Sequence, residues 1–253
     1  MLKTAKTAAI SAGKLLKSYF GHLDSYSAKG GNPRDYVTKA DLASEKLIKK
    51  IILDKFPNHN FWGEESGKTD KTSNFTWVVD PLDGTSNFVL NIPMYSVSIA
   101  LMKNNEVVLG VVYIPQTDEL FWAQKSKGAF CNGKKIHVSN TKKLSDAIGS
   151  IEYWSKDNTR IEKGLEEFNF YARKIKKIRY LSSTVFEMCR VAKGNLDFCI
   201  MDSTVLDIAA ASFIIHEASG KCLVDGKRFN MVSLQSIFRI YCGNALMKII
   251  LKK

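Results

Sequence analysis

The sequence predicts an α+β protein folded as a single unit over residues 1–253, with an antiparallel-sheet N-terminal half (roughly residues 1–140) and an α/β C-terminal half (roughly 141–253). Three observations predict it. Met94 to Met102 and Glu106 to Ile114 are strand-like runs joined by Lys103-Asn104-Asn105, a hairpin signal, and Glu119 to Ala123 and Ala129 to Cys131 continue the meander. From Leu144 onward strand and helix patterns alternate. The 253 residues are 45% hydrophobic and contain five prolines, with no internal repeat and no Gly/Ser-rich linker, so nothing marks a boundary between the halves.

Composition excludes several classes. No apolar run approaches the roughly 18 to 20 residues of a bilayer span, and the N-terminus lacks a signal-peptide core, so a cytoplasmic protein with no membrane partner is expected. Cys131, Cys189, Cys199, Cys222 and Cys242 are odd in number and show no C-x-x-C spacing, which argues against a disulfide framework or a zinc site and for reduced, buried thiols. A net charge of +12 favours anionic partners: a phosphorylated metabolite, nucleic acid or an acidic surface.

Residues 2–20 carry a helical pattern whose Lys3, Lys6, Lys14 and Lys17 share one sector, read as a solvated face. After a loop around Lys29 to Pro33, Asp35 to Thr38 leads into a second helix, with Leu47, Ile48, Ile51 and Ile52 as its apolar stripe and Phe56-Pro57 as its stop. Thr38 and Asp41 form a capping-box pattern, so Asp41 reads either as a cap or as a catalytic acid. Asn60 to Gly67 reads as a short strand and turn carrying Glu64-Glu65, and Lys68 to Asn74 as polar loop.

The chemistry centres on Trp77-Val78-Val79-Asp80-Pro81-Leu82-Asp83-Gly84-Thr85-Ser86-Asn87-Phe88. Trp77 to Val79 read as an interior strand that Asp80-Pro81 ends, because proline cannot donate to a ladder. Asp80 and Asp83 then lie on a tight turn that Gly84 permits, ahead of a helix over Thr85 to Val89. Two carboxylates that close repel unless a cation or proton lies between them, and oxygen-only ligands favour a hard ion such as Mg²⁺. The N–H groups of Gly84 and Thr85 at a helix start suit a phosphate.

Downstream, a strand is expected near Ala147 to Tyr153, a helix near Thr159 to Tyr171, and a basic edge strand over Arg173 to Arg179, where five of seven residues are Lys or Arg. Ser182-Ser183-Thr184 precedes a helix through Val191, and a strand follows over Asn195 to Ile200. Thr204 and Asp207 make a second capping-box pattern at the head of a helix that is apolar nearly all round through Ile215; an unpaired acid there would be costly. Phe238 to Cys242 reads as a strand and Ala245 to Leu251 as a helix.

With Gly63-Glu64-Glu65-Ser66, the Trp77 to Phe88 stretch, Asp207-Ile208-Ala209-Ala210 and Glu217-Ala218-Ser219-Gly220 in order and spacing, the sequence resembles the inositol monophosphatase family over essentially its whole length. The resemblance implies the layered αβαβα sandwich of the inositol monophosphatase/fructose-1,6-bisphosphatase type of sugar phosphatase. It also implies a lithium-sensitive, Mg²⁺-dependent phosphomonoesterase with two or three ions per site, often a homodimer. Carried over residue by residue, Glu64, Asp80 and the Leu82 carbonyl would hold the first metal, Asp80, Asp83 and Asp207 the second, and a third ion would lie beside Glu64. Thr85 would orient the attacking water and Asp41 would hydrogen-bond Thr85. Asp83, Gly84, Thr85, Ser182 and Asp207 would contact substrate.

Departures concern the substrate. Leu206 stands where the family usually has tryptophan, and Ser182-Ser183-Thr184 replaces its usual small-residue turn. Ile200 or Met201 falls where the animal enzymes place the acid that contacts inositol hydroxyls, with Asp202 as the available substitute. Ser86-Asn87-Phe88 resembles the inositol-phosphatase branch more than the Lys-Glu-Phe of the nucleotide branch, so a 3′-nucleotidase or bisphosphate phosphatase is the second reading. A third is an RNA or transcription-machinery binding protein on this scaffold, a role implied by bacterial members and supported by the basic charge.

Overall fold

The structure, a computed structural model, describes residues 1–23, 25–28, 36–153, 158–224, 227–228 and 238–250. The expected loop at Lys29 to Pro33, with Asp35, and the last residue of the expected terminal helix, Leu251, lie outside the described residues. Among the described residues no helix is long and apolar enough to cross a membrane.

Two helices open the chain, α1 (Leu2–Tyr19) and α2 (Lys39–Leu53), with a short hairpin of β1 (Tyr26–Ala28) and β2 (Tyr36–Thr38) between them. Alanines at 5, 8, 9 and 12 form most of the buried face of α1, a small-residue stripe that lets α1 approach its neighbours closely. Lys6 departs from the solvated reading: its ammonium lies 3.6 Å from the centre of the Trp122 ring, a cation–π contact.

The first sheet has eight strands, ordered β10-β9-β8-β7-β6-β5-β3-β4: β3 (Asn60–Gly63), β4 (Gly67–Thr69), β5 (Phe75–Asp83), β6 (Ser96–Lys103), β7 (Glu106–Ile114), β8 (Glu119–Gln124), β9 (Gly128–Cys131) and β10 (Lys134–Ile136). All its pairs are antiparallel except β3 with β5. The meander stands as expected: Asn104-Asn105 and Asn132-Gly133 turn with positive φ, the conformation that two-residue hairpin loops need. Part of the expected 68–74 loop is strand β4, because the turn after Gly63 folds Lys68 back against Trp62.

The second sheet has six strands, ordered β12-β11-β13-β16-β14-β15: β11 (Ile148–Ile151), β12 (Lys177–Arg179), β13 (Phe198–Ser203), β14 (Lys221–Val224), β15 (Lys227–Arg228) and β16 (Phe238–Gly243). The basic edge strand is only three residues long, since the Lys174 and Ile175 N–H groups close a turn onto the Tyr171 carbonyl after helix α4 (Asn158–Ala172). Strand β13 starts later than expected and ends later, because Asn195 and Leu196 still turn back to the Arg190 carbonyl at the end of α5 (Thr184–Ala192).

Core residues separate by face and define five layers. Trp77, Val79, Leu82, Val97 and Ile99 pack with α1 and α2 on one face of the first sheet. Val78, Ala100 and Val112, on the other face, join α5 and α6 (Val205–Glu217), whose far side meets Cys199, Met201 and Ile240 of the second sheet. Phe198 and Ile200 on the outer face of that sheet meet Tyr171 of α4 and Met247 and Ile250 of α7 (Met247–Ile250). The order is therefore α, β, α, β, α. Helix α6, apolar all round, sits where both of its sides need apolar partners, and at Gly110 its backbone comes so near β7 that a Cβ there would lie 2.7 Å from the Ala210 carbonyl oxygen.

Candidate active site

Strand β5 does not end at Pro81 but runs to Asp83 with a register shift: Asp80 pairs with Ser98 and Asp83 with Ser96. Three steps on β5 thus face two on β6, so β5 carries one extra residue, and proline, which has no N–H to pair, stands inside that bulge. The Leu82 N–H closes it onto Asp80 Oδ1 at 3.0 Å. In a regular strand residues i and i+3 project to opposite faces; the extra residue puts Asp80 and Asp83 on the same face, toward α5 and α6, while Leu82 turns into the α1/α2 core.

Glu64 arrives from β3. The parallel register pairs Gly63 with Val79, and the Glu64 N–H continues the ladder onto the Val79 carbonyl at 3.1 Å, which sets Glu64 beside Asp80. Asp207 arrives from the head of α6, where its Oδ2 accepts from the Thr204 N–H at 3.0 Å and the Ser203 hydroxyl at 2.9 Å, the capping box the sequence predicts. Carboxylate oxygens of Glu64, Asp80 and Asp207 lie within 4.8 Å of one another. Burial, then the charges of Glu64, Asp83 and Asp207, hold the Asp80 carboxyl well above the usual carboxylate range.

Asp83 adjoins the cluster. Its Oδ2 accepts from the Ser183 hydroxyl, from Ser96 Oγ at 3.1 Å and from the Phe186 N–H at 3.4 Å. Burial raises its pKa to about 6, and Asp207 adds to the rise while the Ser183 hydrogen bond opposes it. Gly84 follows with φ +84°, and a Cβ on it would meet the Met94 carbonyl oxygen at 2.8 Å, so only glycine fits this turn. Thr85 then opens α3 (Thr85–Val89). Its hydroxyl stands 3.2 Å from Asp41 Oδ1 and 3.0 Å from the Leu82 carbonyl; with one hydrogen it donates to one of the two at a time. Asp41 also caps its own helix, accepting from the Thr38 N–H at 2.8 Å and hydroxyl at 2.6 Å, so cap and site partner are one residue. Burial raises Asp41 to about 6 against those hydrogen bonds.

The 181–183 loop forms the opposite wall. Ser182 has a left-handed φ of +55° and an exposed side chain; Ser183, not Ser182, reaches Asp83. The Asn87 amide donates to the carbonyls of Met94 (2.9 Å), Leu181 (2.7 Å) and Ser182 (3.2 Å), joining the two sheets' loops. From behind, Glu187 Oε1 accepts from the Leu181 N–H at 2.8 Å and Glu152 Oε1 from the Ser182 N–H. Glu187 is fully buried beside Glu152 and Ser150, and burial together with Glu152 holds its carboxyl well above the usual range.

Ile200 and Met201 are core residues on the two faces of β13. Asp202 points to the α4 side, where Arg239 and Arg160 pair with it at 3.0 and 2.8 Å. Arg239, 1% exposed, also pairs with Glu167 at 2.6 Å. The structure thus brings together Glu64, Asp80 and Asp207, sets Asp83, Thr85, Leu82 and Asp41 around them, and leaves Asp202 in a separate network. Asn87 lies in the central motif and Ser183 in the Ser182-Ser183-Thr184 turn, but the sequence assigns neither a site role, and Ser96 carries no motif; the positive φ of Ser182 is what turns Ser183 inward.

Residues 1–248 match the profile of the inositol monophosphatase family. A fructose-1,6-bisphosphatase/inositol-1-monophosphatase of Aquifex aeolicus is 33% identical over 231 residues, covering 91% of this chain and 88% of that protein. The Nus factor SuhB of Pasteurella multocida is 34% identical over 222 residues, covering 87% and 84%. The crystal structure of the extragenic suppressor protein suhB from Bartonella henselae superposes with a TM-score of 0.91 at 30% identity, covering 99% of this chain and 96% of that one.

Proposed function

The chain belongs to the inositol monophosphatase family, and from that premise we propose that it hydrolyses a phosphate monoester of a small polyol or sugar with the help of Mg²⁺. The observation that carries this is the meeting of buried Asp80 with half-buried Glu64 and Asp207, three acids with oxygens within 4.8 Å and nothing but oxygen to offer. Such a donor set fits a hard divalent ion. Glu64, Asp80 and the Leu82 carbonyl would hold one ion and Asp80, Asp83 and Asp207 a second, with a third beside Glu64. Bound there, the ions supply charge neutralisation at the phosphoryl oxygens and lower the pKa of water.

The chain's own residues do the rest. Thr85, aligned by Asp41 or by the Leu82 carbonyl, orients the attacking water, and Gly84 and Thr85 offer backbone N–H groups to the phosphate. Ser183 fixes Asp83, and the 181–183 loop, held by Asn87, Glu152 and Glu187, walls the leaving-group side. Because Asp202 is committed to Arg239 and Arg160, recognition of the alcohol falls to that loop, which favours a broad range of small phosphate esters.

The test is phosphate release from inositol phosphates, fructose 1,6-bisphosphate, glycerol phosphates and adenosine bisphosphate with and without Mg²⁺. Release that needs Mg²⁺ and falls on the order of 10² to 10³-fold in Asp80→Asn, with the variant still folded, supports the reading; undiminished turnover refutes it. A second reading, contact with RNA, rests on the +12 charge, the exposed Arg173, Lys174, Lys176, Lys177 and Arg179, and the Nus-factor relative. Retention on RNA that does not weaken with salt, or no retention, sinks it.

A further inference from the structure

We infer that helix α2 is the positioning element of the carboxylate site, with Glu45 and Ser44 as positioning residues for Glu64 and Asp80; the inference rests on the metal reading of that site. Asp41, Ser44 and Glu45 are spaced i, i+3, i+4 and so share one helix face. Each reaches a different segment of the site. Asp41 meets the Thr85 hydroxyl. Ser44 Oγ donates to the Pro81 carbonyl at 2.9 Å, inside the bulge and next to Asp80. Glu45 accepts from the N–H groups of Glu65 and Ser66 at 2.7 and 2.8 Å, the two peptide units that follow Glu64. Both cluster acids of the first sheet therefore sit beside a peptide group anchored to the same rigid helix.

Glu45 makes little sense as a packing residue. It is 3% exposed, and among the described residues its hydrogen bonds are those two backbone N–H groups. A buried carboxylate with no cation beside it among the described residues costs stability, and it adds negative charge beside an acidic cluster. Its seat is also specific: a Cβ on Gly63 would come within 2.5 Å of its carboxyl carbon, so the residue before Glu64 has no side chain where Glu45 lies. What the arrangement provides is a fixed direction for the Glu64 turn, the role that groups behind a metal ligand play.

Mn²⁺ binding to metal-free protein, followed by electron paramagnetic resonance, tests this without turnover. In Glu45→Gln one N–H loses its acceptor and faces an amide N–H₂, and Mn²⁺ affinity should fall about 10-fold or more. Ser44→Ala should weaken binding in the same direction by a smaller factor. If wild-type protein binds Mn²⁺ and both variants bind equally well, the inference is overturned and the metal site stands. If wild-type protein itself binds none, the metal reading falls and the inference with it. Should Glu45→Gln fail to fold, Ser44→Ala decides by the same criterion.

Discussion

Replacing Glu187 by Gln should remove a pH dependence from the protein's stability. Glu187 lies at the back of the 181–183 loop with one oxygen on the Leu181 N–H; Glu152, Ser150, Tyr180 and Cys199 surround it. Burial and Glu152 raise its pKa well above the ordinary 4.5, so the folded protein keeps a proton that the unfolded chain releases. A group raised in the folded state contributes fully below its unfolded pKa, and that contribution is lost as pH climbs toward the folded value. While the folded state holds the proton and the unfolded state does not, the loss is about 1.4 kcal/mol per pH unit. For a chain of this size that is roughly 3 to 5 °C of melting temperature per unit. Gln keeps the shape and the Leu181 contact but exchanges no proton. Calorimetric melts of both proteins between about pH 5 and 6.5, at one fixed metal concentration, should therefore diverge, the variant gaining on wild type as pH rises. Titration of Asp41, Asp80 and Asp83 is common to both and cancels in the difference. Parallel curves would show that Glu187 is ionised in the folded protein and that the wall of the loop is built differently.

Gly84→Ala should destabilise by about 1 to 3 kcal/mol and abolish phosphate release, since the new Cβ meets the Met94 carbonyl at 2.8 Å in a left-handed turn; urea unfolding with wild-type stability would contradict this. His59 accepts from the Trp77 indole N–H at 3.1 Å and stacks on Phe56 and Phe75. Burial, then the N-terminal charge, lowers its pKa below 6.5, so its contribution is present above 6.5 and lost as pH falls; an NMR titration midpoint at or above 6.5 would refute the arrangement. Mg²⁺ at about 100 times its Kd should raise stability by ~2.7 kcal/mol, and Asp80→Asn should show a much smaller gain in the same melts.

The features legible in the sequence are those decided by neighbouring residues. The capping boxes at Thr38/Asp41 and Thr204/Asp207, the hairpin at Asn104-Asn105 and the left-handed Gly84 need only a few adjacent positions, and each stands where the pattern places it. Of the candidate site acids, Asp41 and Asp207 were legible as caps because they lie in such motifs. What escaped depends on distant partners. The β5 bulge exists because β6 supplies Ser98 and Ser96 as a ruler, and proline alone could not distinguish a bulge from a strand end. Strands β11, β12 and β13 pair in parallel across long connections, which leaves no local trace of their order. Glu45 is one acid among several on its helix, and only the Glu65 and Ser66 amides, twenty residues away, single it out.

The register shift on β5 also sets which kinds of sequence change this site can survive. Loss of one residue between Asp80 and Asp83 would take out the bulge itself: the two acids would become i and i+2 on a plain strand, still on one face opposite Ser98 and Ser96. What would go is the turn between them, in which the Leu82 N–H closes onto Asp80 Oδ1 and Leu82 reaches the α1/α2 core. The length of this segment therefore sets the shape of the turn and the peptide groups it presents beside the acids, while the pairing with β6 alone would keep the acids side by side.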